Sequence, residues 1–151
     1  MKVPPRVAFF SWTAVLGKIL TIDALRKRRL IIVDWCCMCK HNWENVDHLL
    51  LHCRLAREIW SMVFALFGLQ WVVFALFGLQ WVMPHTVLDR FMGWYGFPGQ
   101  NRSAVVWQIV SHCVIWCLWL ERNARHFEDS ERSIPELKLF FSRFCMSGQW
   151  L

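Results

Sequence analysis

The hydrophobic and polar positions along the 151 residues read as a succession of short helices joined by tight loops. Ala8–Leu16 is apolar and aromatic, and Gly17 closes it. Thr21 suits the N-cap of the next helix, because its hydroxyl can accept from a first-turn amide, and Asp23 follows in that turn. This helix runs out in Arg26-Lys27-Arg28-Arg29, where positive charge complements the C-terminal end of the dipole. Arg54–Phe67 places Leu55, Ile59, Met62 and Leu66 at helical spacing. Pro84 opens a further predicted helix to about Trp94, and Gly96-Phe-Pro-Gly99 reads as a loop. A long helix is predicted over Ser103–His126, with Trp116, Trp119, Leu120, Asn123 and Phe127 on one face. Ser133-Ile-Pro-Glu136 has the form of a capping box and starts a last helix through Leu139, Phe140 and Phe144. Strand signals are confined to Leu30–Val33. The predicted architecture is mainly α.

One feature breaks this pattern. Val63–Val72 reads VFALFGLQWV, and Val73–Val82 repeats it without a change. Units that diverge and run longer would suggest a solenoid; ten identical residues suggest a duplicated stretch of coding sequence. Met62–Met83 becomes a 22-residue apolar run interrupted only by Gln70, Gln80 and two glycines. That reaches the roughly 20 residues of a membrane span, whereas one copy leaves about 12, the size of an ordinary core helix. The preferred expectation is an insertion that extends a helix or bulges from the fold, with a small membrane protein as the lesser alternative.

Composition narrows the partners. At 56% hydrophobic and 19% charged residues the chain can bury a core, which excludes intrinsic disorder. Residues 1–33 hold seven Lys/Arg against one Asp, a net of +6, while the remaining 118 residues balance ten basic with ten acidic side chains. Polyanions are therefore the partner class expected for the N-terminal third. The seven cysteines are odd in number, and MKVPPRVAFF does not read as a signal peptide, so a reducing compartment is expected rather than a secreted disulfide scaffold.

Four of those cysteines, Cys36, Cys37, Cys39 and Cys53, fall within residues 36–53, and three of them join a histidine in the skeleton Cys36-x2-Cys39-x8-His48-x4-Cys53. Two thiols separated by two residues grip one tetrahedral ion from a tight turn, and a second Cys/His pair closes the coordination sphere with ligands suited to Zn²⁺. With four protein ligands no position stays open for water, which makes the site structural rather than catalytic. The spacing leaves alternatives open. Cys37 can replace Cys36 only through a tighter turn, and His52 shares a helical face with His48. In an unbroken helix His48 and Cys53 would lie about 140° apart, so choosing Cys53 requires the helix to break near His52. The competing reading is a set of buried cysteines around a satisfied core histidine. His41, His85, His112 and His126 are isolated in the sequence and read as surface or core residues.

The chain resembles the plant reverse-transcriptase zinc-binding domain found toward the C-terminus of LINE-type non-LTR retrotransposon polyproteins. The similarity runs through Val7-Ala-Phe-Phe-Ser-Trp-Thr-Ala, Gly17-Lys-Ile-Leu-Thr-Ile-Asp-Ala-Leu-Arg-Lys-Arg28, Cys36-Cys-Met-Cys39, Val46-Asp-His-Leu-Leu-Leu-His-Cys53 and Ile59-Trp60. It resumes at Ile115-Trp-Cys-Leu-Trp-Leu-Glu-Arg-Asn-Ala-Arg-His-Phe127. The resemblance implies zinc ligands at Cys36, Cys39, His48 and Cys53, while the repeated decapeptide is foreign to it. The expected fold is short helices around a zinc-knuckle-like Cys-Cys-His-Cys module, followed by an aromatic-rich helical segment. Its expected divisions are residues 1–67 for the zinc-binding domain (module 34–60), 63–82 for the duplication and 84–151 for the aromatic segment.

No catalytic machinery is legible. The only tyrosine, Tyr95, precedes Gly-Phe-Pro rather than the Asp-Asp of a polymerase palm, and the five aspartates never pair. Phosphate-loop and Gly-x-Ser-x-Gly signatures are missing. Cys113 and His112 are adjacent and would face different ways on a helix. The expected function is non-catalytic: a zinc-stabilised module that helps a reverse transcriptase hold RNA or DNA. Arg26, Lys27, Arg28 and Arg29 are expected to meet phosphates, with Trp35 and Trp43 as stacking platforms or, alternatively, as core residues. The rival expectations are a protein-interaction module that docks other parts of the polyprotein, and a relic without function.

Overall fold

A computed structural model describes residues 3–30, 33, 35–66, 84–92 and 102–147. Among them every regular element is a helix: α1 (Pro5–Val15), α2 (Ile22–Lys27), a π-helical turn (His48–His52), α3 (Arg54–Leu66), α4 (Val87–Met92), α5 (Arg102–Phe127) and α6 (Ile134–Ser147). Nearly all of the duplicated decapeptide, the 96–99 loop and the central residues of the suggested Leu30–Val33 strand lie outside the described residues. Within the described residues no helix is long and apolar enough to cross a membrane.

The helix signals of the sequence act at their own positions, with shifts at the ends. α1 starts three residues early because Pro5 sits in its first turn, where a missing N–H costs nothing. It ends before Gly17, whose φ of 65° is the left-handed conformation that favours glycine. Thr21 caps α2, its hydroxyl accepting from the Ala24 amide at 3.4 Å. The box at α6 forms in full: Ser133 N–H and Oγ–H donate to Glu136 Oε2 at 2.7 and 2.8 Å. α4 begins at Val87 rather than Pro84, because the Thr86 hydroxyl takes the capping role and accepts from the Asp89 amide at 3.0 Å.

α5 is the central element and packs against α1, α3, α6 and the π turn. Its fully buried side chains include Val114, Cys117, Leu118, Glu121 and Arg122. The stripe Trp116, Trp119, Leu120, Asn123 and Phe127 lies on the opposite side and is only partly buried, with Phe127 exposed. Both tryptophans there meet Phe10 of α1 at 5.3 Å between ring centroids. On α3 the spaced set is buried in part, at Leu55 and Ile59. The buried stripe of this helix is Leu55, Ala56, Ile59, Trp60 and Val63, while Leu66 is exposed. Trp60 decides this: its indole is fully buried, and Nε1–H donates to the Leu50 carbonyl at 2.9 Å. A side chain of that size dominates the face it occupies. One buried cluster runs from Phe10 through Leu49–Leu51 and Trp60 to Leu118 and Phe141, joining the cysteine-rich region to α5 and α6.

Candidate metal centre

The loop from Cys36 to Asn45 folds back on itself. Cys36 N–H donates to the Asn42 carbonyl at 2.6 Å, and Lys40 N–H to the Cys36 carbonyl at 2.8 Å. Lys40 takes a left-handed φ of 60° to close this turn. Asn45 then starts the next element, its side chain accepting from the His48 amide at 2.7 Å and its carbonyl from Leu49 at 2.9 Å.

The helix break that a His48/Cys53 pair requires is present, and it takes the form of a π-helical turn. Across His48–His52 the Cys53 N–H donates to the His48 carbonyl at 2.6 Å. An i to i+5 turn carries more residues per revolution than an α-helix, so Cys53 returns toward the face of His48. Cys53 itself is extended, with φ −57° and ψ 144°, and α3 starts at the next residue. Leu49, Leu50 and Leu51 are completely buried and anchor the turn to the core.

Cys36, Cys39, His48 and Cys53 are thereby brought together, with their candidate ligand atoms all within 4.8 Å of one another. Cys36 Sγ lies 4.0 Å from Cys53 Sγ, and Cys39 Sγ 3.3 Å from His48 Nε2. Tetrahedral zinc with its usual bond lengths requires S···S near ~3.8 Å and S···N near ~3.6 Å. The four residues fit that ion. Two local amides also point at the sulfurs, Cys39 N–H at Cys36 and Leu55 N–H at Cys53, and both favour thiolate. The Cys36 thiol is nonetheless pushed up to about 12, first by its hydrogen bond to Cys53 and then by burial. That same bond lowers Cys53, while bonding to Cys36 raises His48.

The sequence alternatives are drawn elsewhere. His52 Nε2 is 2.9 Å from the His85 carbonyl oxygen, and Asp47 accepts from the Val87 amide at 2.8 Å, so both tie the turn to the α4 segment. Cys37 Sγ faces away, 3.6 Å from Glu44 Oε2 and 3.8 Å from the Arg122 carbonyl oxygen. Burial is the main cause that pushes its thiol up to about 12. His41 bonds the Cys39 carbonyl oxygen, and His112 meets Ser11 Oγ at 2.6 Å beneath α1.

Two buried ionic clusters escape a reading by motif. Glu44 Oε1 accepts from Arg122 Nε at 3.1 Å and Nη2 at 2.9 Å, and from the Ile22 amide at 3.0 Å. Glu121 accepts from Arg125, from the Arg132 guanidinium and from the Arg132 amide, at 2.9, 2.7 and 2.9 Å. Burial opposes ionisation of Glu121, but these bonds outweigh it and hold its carboxyl below the usual range. Arg125 Nη1 also donates to the Met38 carbonyl at 3.1 Å, inside the Cys36–Cys39 turn. α5 thus braces the cysteine loop from behind. The signal available in the sequence was Glu121 and Arg125 at i, i+4 within an otherwise apolar helix.

The polar surface lies on the outer flank of the loop. Trp35 and Trp43 are 53% and 68% exposed, so neither is a core residue. The Arg26 guanidinium sits 5.4 Å over the Trp43 ring, and Lys27 pairs with Asp23 at 2.9 Å. Arg28 and Arg29 are exposed, and neither has an ionic partner among the described residues.

Residues 1–60 match the family model described as zinc-binding in reverse transcriptase. The four clustered residues fall inside that match, and Arg122 and Arg125 fall beyond it. No curated protein and no solved structure matches the chain.

Proposed function

Because residues 1–60 match the family model described as zinc-binding in reverse transcriptase, we propose that the chain is a non-catalytic, zinc-stabilised module that binds RNA or DNA. Cys36, Cys39, His48 and Cys53 hold one Zn²⁺, which shapes the Cys36–Asn45 loop. Arg26–Arg29 meet strand phosphates, and Trp35 and Trp43 offer stacking faces. The setting that suits this module is the C-terminal part of a plant LINE-type polyprotein, as the resemblance of the motifs implies.

The observation that carries the reading is the state of Arg28 and Arg29. Dipole complementation accounts for Arg26 and Lys27 in the last turn of α2, but Arg28 is the cap and Arg29 lies beyond it. Arg29 N–H bonds the Arg26 carbonyl at 2.8 Å and Leu30 N–H the Leu25 carbonyl at 3.2 Å, the Schellman arrangement. Arg29 occupies its left-handed position at φ 62°, where glycine is favoured and a side chain costs about 1–2 kcal/mol. Charge is kept there against conformational preference, and it has no ionic partner among the described residues. The double reversal Arg28→Glu/Arg29→Glu should weaken binding to a single-stranded oligonucleotide. It should also flatten the slope of log affinity against log salt by about one to two units. An unchanged slope, with only a small loss of thermal stability, would mean that the run serves the helix alone.

A second reading, docking onto other parts of a polyprotein, is favoured by Phe9, Trp12 and Leu16, which stand exposed along α1. Binding of that kind would be insensitive to salt.

The metal reading has its own pH signature. Zinc binds thiolate and neutral imidazole, so it must displace the Cys36 proton, held up to about 12, and the proton whose affinity for His48 is raised. Between about pH 6 and pH 8, zinc affinity should rise roughly tenfold per pH unit for each proton displaced. Competition against a chromophoric chelator measures this, and a flat profile would exclude these ligands.

A further inference from the structure

A second basic site borders the same loop at Met38, Cys39 and Lys40. A cavity of about 290 Å³ is lined by Cys39, Lys40, Arg54, Arg125, Glu131 and Arg132, among others. Lys40 and Arg125 share Glu131 at 3.2 and 2.9 Å, while Arg125 and Arg132 share the buried Glu121 at 2.9 and 2.7 Å. Four cations thus meet two carboxylates, a positive balance that survives the single negative charge of a zinc centre with three thiolates and one imidazole. Arg54 is the cation with no carboxylate partner among the described residues. Its position is unfavourable for the helix it opens: α3 has no acidic residue in its first turn, and a cation there opposes the dipole. An oxyanion seated in the cavity would answer both the unpaired guanidinium and the helix end.

We propose that this cavity binds a phosphate of a nucleic-acid strand, whose path crosses the Cys36–Asn45 loop from the Arg26/Trp43 flank to the Lys40/Arg54 flank. This rests on the nucleic-acid reading above and adds a separate contact to it. The fit is chemical: guanidinium and ammonium groups converge on a concavity large enough for one phosphate.

The test uses the full, zinc-loaded chain and fluorescent oligothymidylate at several salt concentrations. The variants are Arg54→Gln, at an exposed helix start, and Lys40→Asn, which tolerates the left-handed backbone. Each should leave zinc stoichiometry intact and reduce the salt slope by about 0.7, one single-strand phosphate contact. Unchanged slopes in both variants overturn the cavity site, and if Arg28→Glu/Arg29→Glu still flattens the slope, the general nucleic-acid reading survives that failure. Loss of slope in Arg54→Gln but not in the Arg28/Arg29 variant keeps the cavity and removes the basic run. If inorganic phosphate shifts the Cys39, Lys40 and Arg54 amide resonances while both slopes stay unchanged, the cavity takes free phosphate and the strand contact is overturned. A wild-type chain that binds no strand overturns both.

Discussion

Cys39→Ser should release the metal and unfold the region around residues 30–60, with loss of the cooperative thermal transition of the whole chain. Cys39 Sγ approaches His48 Nε2 at 3.3 Å, so its removal opens one corner of the four-residue cluster. Structural zinc contributes on the order of 10 kcal/mol to the folding of small modules, comparable with the total stability of about 5–15 kcal/mol of an ordinary domain. The loss would not stay local. Leu49, Leu50 and Leu51 sit between two of the clustered residues, and they belong to the same buried cluster as Trp60 and Leu118. Cys37→Ser is the control: Cys37 faces Glu44 and Arg122, and its replacement should keep the metal and cost about 1 kcal/mol. Zinc content and circular dichroism of the two variants, side by side, check the pair of outcomes. Metal retained by the Cys39 variant, or lost from the Cys37 variant, would reassign the ligands.

Arg122→Met should destabilise the chain by about 3–5 kcal/mol in urea unfolding, because it leaves Glu44 as a buried, uncompensated charge. The Glu44 and Arg122 side chains are 0% and 1% exposed and bonded at 2.9 Å. Glu44→Gln should cost a similar amount for the converse reason, stranding the guanidinium beside Trp119, whose ring it overlies at 5.1 Å. The double variant should be less destabilised than the sum of the two, since removing both charges leaves neither unpaired. Additive losses would mean that the two side chains are not coupled. The expected size reflects where the pair sits: it joins the loop before the π turn, the start of α2 and the C-terminal part of α5.

The elements legible in the sequence are those with local causes. Thr21, Gly17 and Ser133–Glu136 act on amides and dihedrals within a few residues, and each works as its chemistry predicts. The Cys36/Cys39 spacing is equally local. His48 and Cys53 require a break in the helix, and the sequence can state that requirement but not the form it takes, a π turn fixed by three buried leucines and by Trp60. On α3 the buried face shares Leu55 and Ile59 with the spaced set but turns toward Trp60 and Val63, and on α5 it lies away from the tryptophan stripe, because helical spacing alone does not tell which apolar face meets the core. On α5 that choice is made by the packing of α3 and α6 and by the Glu121 and Arg122 clusters, which the spacing of apolar residues does not record. The bracing role of Glu44, Arg122 and Arg125 meets the same obstacle, since partners 78 and 87 residues apart leave no periodic trace.

Zinc content of the purified full chain, measured together with the absorption of its cobalt-substituted form, tests the metal centre most directly. One Zn²⁺ per chain is expected, with a cobalt spectrum of tetrahedral geometry and sulfur charge transfer that is lost when Cys53 is changed to Ser. A well-folded chain that purifies without zinc, takes up no cobalt and melts at the same temperature with or without chelator would contradict it.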